Sequence, residues 1–189
     1  KILSEAVHEL KTDEFAELYA EELQSDGTIS GEQFVDECQV ESDLELLLPA
    51  TYVTGSSERM LLYRELDGLT LDADVEAFRA RLIDRFGPVP PETEELLRIV
   101  PLRRLAARLG AEKVFLKGGR MTLFLVSNPE SPYYKSQSFG KLIAYMMKYT
   151  RRCDLRDQNN RRSMLVKSVE NVEMAVSILR EIIAMDVEE

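Results

Sequence analysis

Histidine and cysteine, common choices for a base and a nucleophile near neutral pH, are scarce in this chain. His8 is its one histidine, and Cys38 and Cys153 are its two cysteines. A Ser–His or Cys–His nucleophile needs its base within hydrogen-bond reach, so it would have to recruit His8 from a strongly acidic stretch. Neither cysteine belongs to a C-x-x-C pair, which excludes the common Cys/His zinc frameworks. No G-x-x-x-x-G-K-[S/T] phosphate loop occurs. Gly118-Gly119 is followed by Arg120-Met121, and a turn accounts for both glycines. G-x-S-x-G and H-E-x-x-H are also missing from the sequence. Carboxylates are plentiful, but they lie in helical runs that read as a solvated surface. The expectation is a chain with no catalytic residues, no metal and no cofactor.

Binding chemistry is easier to find. Arg103, Arg104 and Arg108 share a predicted helix, and Arg151, Arg152, Arg156, Arg161 and Arg162 surround a predicted hairpin near Tyr145 and Tyr149. Guanidinium with aromatic is the composition of a nucleic-acid surface, so a DNA- or RNA-polymerase-contacting module using the basic second half is the alternative reading. Asp154 and Asp157 are interleaved with these arginines, and a cross-strand charge lattice is the plainer reading. A second candidate lies on the run 72–86. At 100° per residue, Asp84 and Ala77 fall opposite the apolar positions Val75, Phe78, Leu82 and Phe86, with Ala80 and Arg81 on either side. Alanines beside charges make a low-relief face that another protein can approach, although alanine also suits an ordinary exposed helix.

Those candidates sit in a chain of 189 residues, 44% hydrophobic and 31% charged, which is enough for a real core. The net charge of −10 is uneven. Residues 1–50 carry 2 basic and 14 acidic side chains, whereas 101–150 carry 9 and 2. The whole-chain charge is therefore a poor guide to partners. Apolar runs such as Leu123-Phe124-Leu125-Val126 are far shorter than the roughly 20 residues of a membrane span. Two isolated cysteines fit a reducing, cytoplasmic compartment. The chain starts at Lys1 rather than Met, and is expected to be part of a longer protein.

The elements follow from periodicity. Residues 1–25 read as a helix and 33–48 as β-like, ending at Pro49. Three helices come next. One starts with Ser56 as N-cap, one spans 72–86 and closes on Gly87, and one opens at Pro91 with a kink or break expected at Pro101. A hairpin turns at Gly118-Gly119, a helix spans 136–149, a second hairpin turns around 158–160, and a last helix spans 169–185. The fold class is α+β: an N-terminal helical arm, a helical cluster, then a ββα–ββα antiparallel sheet covered by helices.

The run Leu82-Ile83-Asp84-Arg85-Phe86-Gly87-Pro88-Val89-Pro90 closely resembles a segment of the C-terminal domain of the bacterial transcription-repair-coupling factor family. Leu47-Leu48-Pro49, Tyr52-Val53 and Arg59-Met60-Leu61-Leu62-Tyr63-Arg64 precede it as in that family. Leu96-Leu97, Leu102-Arg103 and Leu109-Gly110 follow at the family's spacing, and Glu5-Ala6-Val7 with Leu10-Lys11 resembles the helix leaving the family's motor. The resemblance implies a parent protein that is an ATP-driven translocase on double-stranded DNA. That parent displaces stalled RNA polymerase and recruits the excision-repair protein UvrA. It also implies a domain division, with 1–30 as an arm from the motor and 31–189 as a non-catalytic regulatory domain. That domain docks on the UvrB-like N-terminal module and covers its UvrA-binding surface. The implied docking residues are Asp84, which maps onto an acidic family contact, with Arg81, Ala77, Ala80 and Arg85 around it. Arg81 replaces a residue that is acidic in some relatives, and Pro101 is a second departure from the family's helix.

Overall fold

A computed structural model describes residues 33–187. The expected helical arm at 1–30 lies outside the described residues.

Apolar residues at three- and four-residue spacing build a cluster of three helices, α1 (Ser56–Asp67), α2 (Asp72–Phe86) and α3 (Pro91–Arg108). Gly55, not Ser56, is the N-cap of α1, and it makes no side-chain cap hydrogen bond. Helix α2 stops at Gly87, whose φ of 89° is open to glycine at little cost. Pro91 occupies the first turn of α3 with Glu92 and Glu94, where a fixed φ and negative charge both suit the helix start. The expected break at Pro101 does not occur: α3 runs unbroken from Pro91 to Arg108 with Pro101 buried inside it. A proline there costs about 3 kcal/mol. Packing on both sides of it outweighs that cost. Leu97 and Val100 enter one hydrophobic cluster with Phe78 and Leu82, while Leu102 and Leu105 enter a second with the sheet.

The sheet contains β1 (Gln39–Ser42), β2 (Ala111–Lys117), β3 (Arg120–Leu125), β4 (Cys153–Gln158) and β5 (Arg161–Lys167), in the order β1-β2-β3-β5-β4. Helix α4 (Gln137–Lys148) joins β3 to β4, and α5 (Val172–Ile183) follows β5. The ββα–ββα order is as read from the sequence, and the class is α+β. The sheet is nevertheless mixed rather than wholly antiparallel, because β1 runs parallel to β2 at one edge. Only Gln39–Ser42 of the β-like stretch forms a strand. Both hairpins close through two residues of positive φ, Gly118-Gly119 (63°, 70°) and Asn159-Asn160 (55°, 59°), which matches the twist of the flanking strands.

Alternation assigns the two faces of the sheet. Val114, Leu116, Met121, Leu123, Leu125, Met164 and Val166 point inward against α3 and α5 residues such as Leu105, Val172 and Leu179. Cys38 and Cys153 are free and buried. Burial pushes the Cys38 thiol up to about 12. One carboxylate links the helical cluster to the last helix. Glu95 of α3 accepts from the backbone N–H groups of Val172 (2.9 Å) and Glu173 (3.1 Å), the first residues of α5.

Candidate functional site

Helix α2 buries Val75, Phe78 and Leu82 against the cluster and turns its opposite side outward. Ala77, Ala80, Arg81, Asp84 and Arg85 are all exposed, as the spacing predicts. They do not form a single set. Arg81 forms an ion pair with Glu65, and Arg85 one with Glu58, both carboxylates belonging to α1. On the other flank, Arg79 grips Glu94 of α3 through two nitrogens, at 3.0 and 2.8 Å. The basic side chains of α2 are thus tied to the neighbouring helices. Among the described residues, none makes an ion pair or hydrogen bond with the Asp84 side chain. It stands on a ridge that continues through Ala80 one turn away and Ala77 two turns away.

The ridge is held from beneath. The Tyr52 hydroxyl donates to the Gly87 carbonyl at 2.8 Å, with the Leu82 carbonyl at 3.2 Å. This anchors the last turn of α2, the turn that carries Asp84. The Tyr52 ring also meets Phe86 edge-on, with centroids 5.7 Å apart. Desolvation raises the Tyr52 phenol above its ordinary range, so it stays a donor at neutral pH.

Leu61 belongs to the same surface and was not singled out from the sequence. It is 64% exposed, and it lies between Glu58 and Glu65 on the side of α1 that meets Arg81 and Arg85. The signal was present: Met60-Leu61-Leu62 cannot all face inward at 100° per residue. Ile83, 40% exposed, flanks Asp84 on the other side.

The five arginines proposed as a nucleic-acid contact are not brought together. Arg152 is committed to the chain itself, donating to the carbonyls of Lys167 (2.9 Å) and Ser168 (3.0 Å). Arg162 lies over the Tyr134 ring and reaches Asp157 at 3.5 Å on the helix-covered side. Arg156 and Arg161 point to the opposite side of the sheet, and Arg151 is exposed in the turn before β4. On the third helix, Arg103 and Arg104 pair with Asp67 (2.9 Å) and Asp72 (3.0 Å).

A cleft of about 600 Å³ between α2, α3 and α5 is polar, and three of its four carboxylates are engaged: Glu94 with Arg79, Asp72 with Arg104, and Glu173 with Arg98, while Glu76 at its rim is exposed. His8, the base a nucleophile would need, lies outside the described residues. Among the described residues no group of three or more His, Cys, Asp or Glu is placed to hold a metal ion. None of their helices is long and apolar enough to cross a membrane.

Comparison with known proteins places these features in a family. The family model for the TRCF domain matches residues 42–136, which include α1, α2 and α3. The transcription-repair-coupling factor of Rickettsia bellii is 29% identical over 157 residues, 81% of this chain and 13% of that protein. The Escherichia coli K12 transcription-repair-coupling factor is 32% identical over 76 residues, 40% of this chain and 7% of its own length. The chain therefore spans only a small part of these relatives. Its fold is similar to a crystal structure of the C-terminal domain of a transcription-repair coupling factor, with a TM-score of 0.59 and 16% identity, over 82% of this chain and 95% of that one. Half of the sequence, including the helix that carries Asp84, fits the family model, and the chain belongs to the TRCF domain family.

Proposed function

We propose that this chain is the non-catalytic regulatory domain of an ATP-driven DNA translocase that couples transcription to nucleotide excision repair. In this reading, α2 docks on the UvrB-like N-terminal module of the same polypeptide and masks its UvrA-binding surface. Engagement of RNA polymerase by the parent releases it. Residues 1–30 would form the arm that joins the domain to the motor, and 31–189 the domain itself. The intact protein would work in the cytoplasm on double-stranded DNA.

One observation carries this proposal. Every basic residue along the flanks of α2 is neutralised within the cluster, and Asp84 is left as an uncompensated charge on a ridge of alanines. A ridge of that shape admits a close partner surface, and the unpaired Asp84 carboxylate calls for a cation opposite. A charge-assisted bond to an arginine is worth roughly 1.5–3 kcal/mol if desolvated, and far less if wet. An interface of this modest kind is reversible, as a regulatory clamp must be. Autoinhibition is then a two-state equilibrium, and a gap of a few kcal/mol is enough to hold it.

The test is a titration of this chain against the isolated UvrB-like module, repeated with UvrA as competitor. Saturable binding that UvrA displaces is the expected result. If the chain does not bind the module, or if UvrA and this chain occupy it together, the masking role is wrong.

A further inference from the structure

Strand alternation leaves one face of the sheet uncovered by any described helix. Paired positions place Phe115 of β2, Thr122 and Phe124 of β3, and Ser163 and Leu165 of β5 on this face. Ser163 and Leu165 are buried and form its floor, while both phenylalanines are part-exposed above it. Phe115 and Phe124 lie diagonally across β2 and β3, with ring centroids 5.0 Å apart. Neither ring contributes to the two hydrophobic clusters.

Cations surround the rings. Lys113 and Lys117 place their ammonium groups 4.6 and 4.8 Å from the Phe115 centroid. The Arg161 guanidinium lies 4.5 Å from the Phe124 centroid. Arg120, Arg156 and Lys167 share the face by register. Its acidic members are Asp154 and Glu41, and Glu41 pairs with both Lys113 (2.8 Å) and Lys117 (3.2 Å). On a chain of net charge −10, this face is locally basic.

We infer that this face binds single-stranded nucleic acid, with bases stacked on Phe115 and Phe124 and phosphates held by the surrounding cations. A sheet that presents aromatic rings offers single strands a stacking platform. The mobile ends of Lys113, Lys117 and Arg161 now lie on the rings. An incoming base takes their place there, and the same ammonium and guanidinium groups turn to the phosphates that flank it. A duplex keeps its bases stacked inside and can use only the charges. Glu41 competes with phosphate for Lys113 and Lys117 and limits affinity. The site is separate from the α2 ridge and does not rest on the docking proposal.

Fluorescence anisotropy of the 189-residue chain with labelled 12-nucleotide oligo(dT), oligo(rU) and a 12-base-pair duplex, at two salt concentrations, tests the inference. Tighter binding of a single strand than of the duplex is expected, and the stronger of the two homopolymers identifies DNA or RNA as the ligand. Phe115→Leu and Phe124→Leu keep an apolar side chain, and each should weaken single-strand binding about fivefold or more while leaving duplex affinity unchanged. Glu41→Gln, which leaves the rings untouched, should strengthen binding of both ligands. Lys117→Ser should weaken it and flatten the salt dependence. Equal affinity for strand and duplex, insensitive to both phenylalanines, would mean phosphate attraction only and would overturn the inference. So would the lack of any binding at the lower salt concentration.

Discussion

At the scale of single residues, Asp84 and Gly110 mark opposite extremes. Asp84 is fully outside the packing, so Asp84→Arg should leave the thermal midpoint within a degree or two of wild type. Affinity for the UvrB-like module should fall at least ~10-fold, since a reversed charge loses the bond and adds repulsion. Calorimetric titration beside a melting curve checks both halves, and unchanged affinity would remove Asp84 from the interface. Gly110, with a φ of 84°, lies against the Tyr133 ring, and an added Cβ would come within 2.1 Å of it. Tyr133 cannot easily yield, because its hydroxyl donates to the Leu109 carbonyl at 2.6 Å in a fully buried position. Gly110→Ala therefore combines overpacking with backbone strain, and should cost about 3 kcal/mol in chemical denaturation.

At the scale of elements, the two hairpins and all five described α-helices were legible because their signals are local. Alternation, paired glycines or asparagines, and a single apolar stripe each lie within one short window. The same local rule places Asp84, Ala77 and Ala80 outward on α2. Four features escaped it. Strand β1 holds only four residues and pairs with β2 some 70 positions later, a contact that no local pattern encodes. Pro101 reads locally as a breaker, and only the two clusters that grip α3 override it. The basic arginines of 151–162 read as one patch, yet Arg162 and Arg161 are adjacent in a strand and must point to opposite faces. The aromatic platform was missed for a related reason, since Phe115 and Phe124 were read as ordinary strand residues of a hairpin.

Glu95 also belongs to this scale. Its carboxylate takes the first two N–H groups of α5, while the helix's own N-cap, Asn171, accepts from the Met174 N–H at 2.8 Å. A carboxylate there satisfies two backbone donors and favours the positive helix end. Glu95→Ala should cost roughly 1–2 kcal/mol in urea denaturation, and Glu95→Gln should recover part of that. A loss near zero would show the cap to be replaceable by water.

For the whole molecule, the buried weak acids set how the fold responds to alkali. Burial raises the Cys38 thiol from its ordinary 9.0 to about 12, and the Tyr145 phenol from 10.0 to about 12. Both stay neutral in the folded chain while the unfolded chain ionises first. Their contribution to stability is complete below about pH 9 and is lost as pH climbs toward 12. Thermal midpoints should therefore hold between about pH 7 and 9 and decline above that, and Cys38→Ala should flatten part of the decline. Iodoacetamide should label Cys38 slowly at neutral pH until the protein is denatured.

Because α3 is threaded through both hydrophobic clusters and also holds the cap of α5, neither half of residues 33–187 can melt while the other keeps its walls. A tug applied at α2 would travel along this shared axle into the sheet. In a single-molecule stretching record, such a molecule yields in one rip rather than two. A domain built in this way unfolds and refolds as one piece.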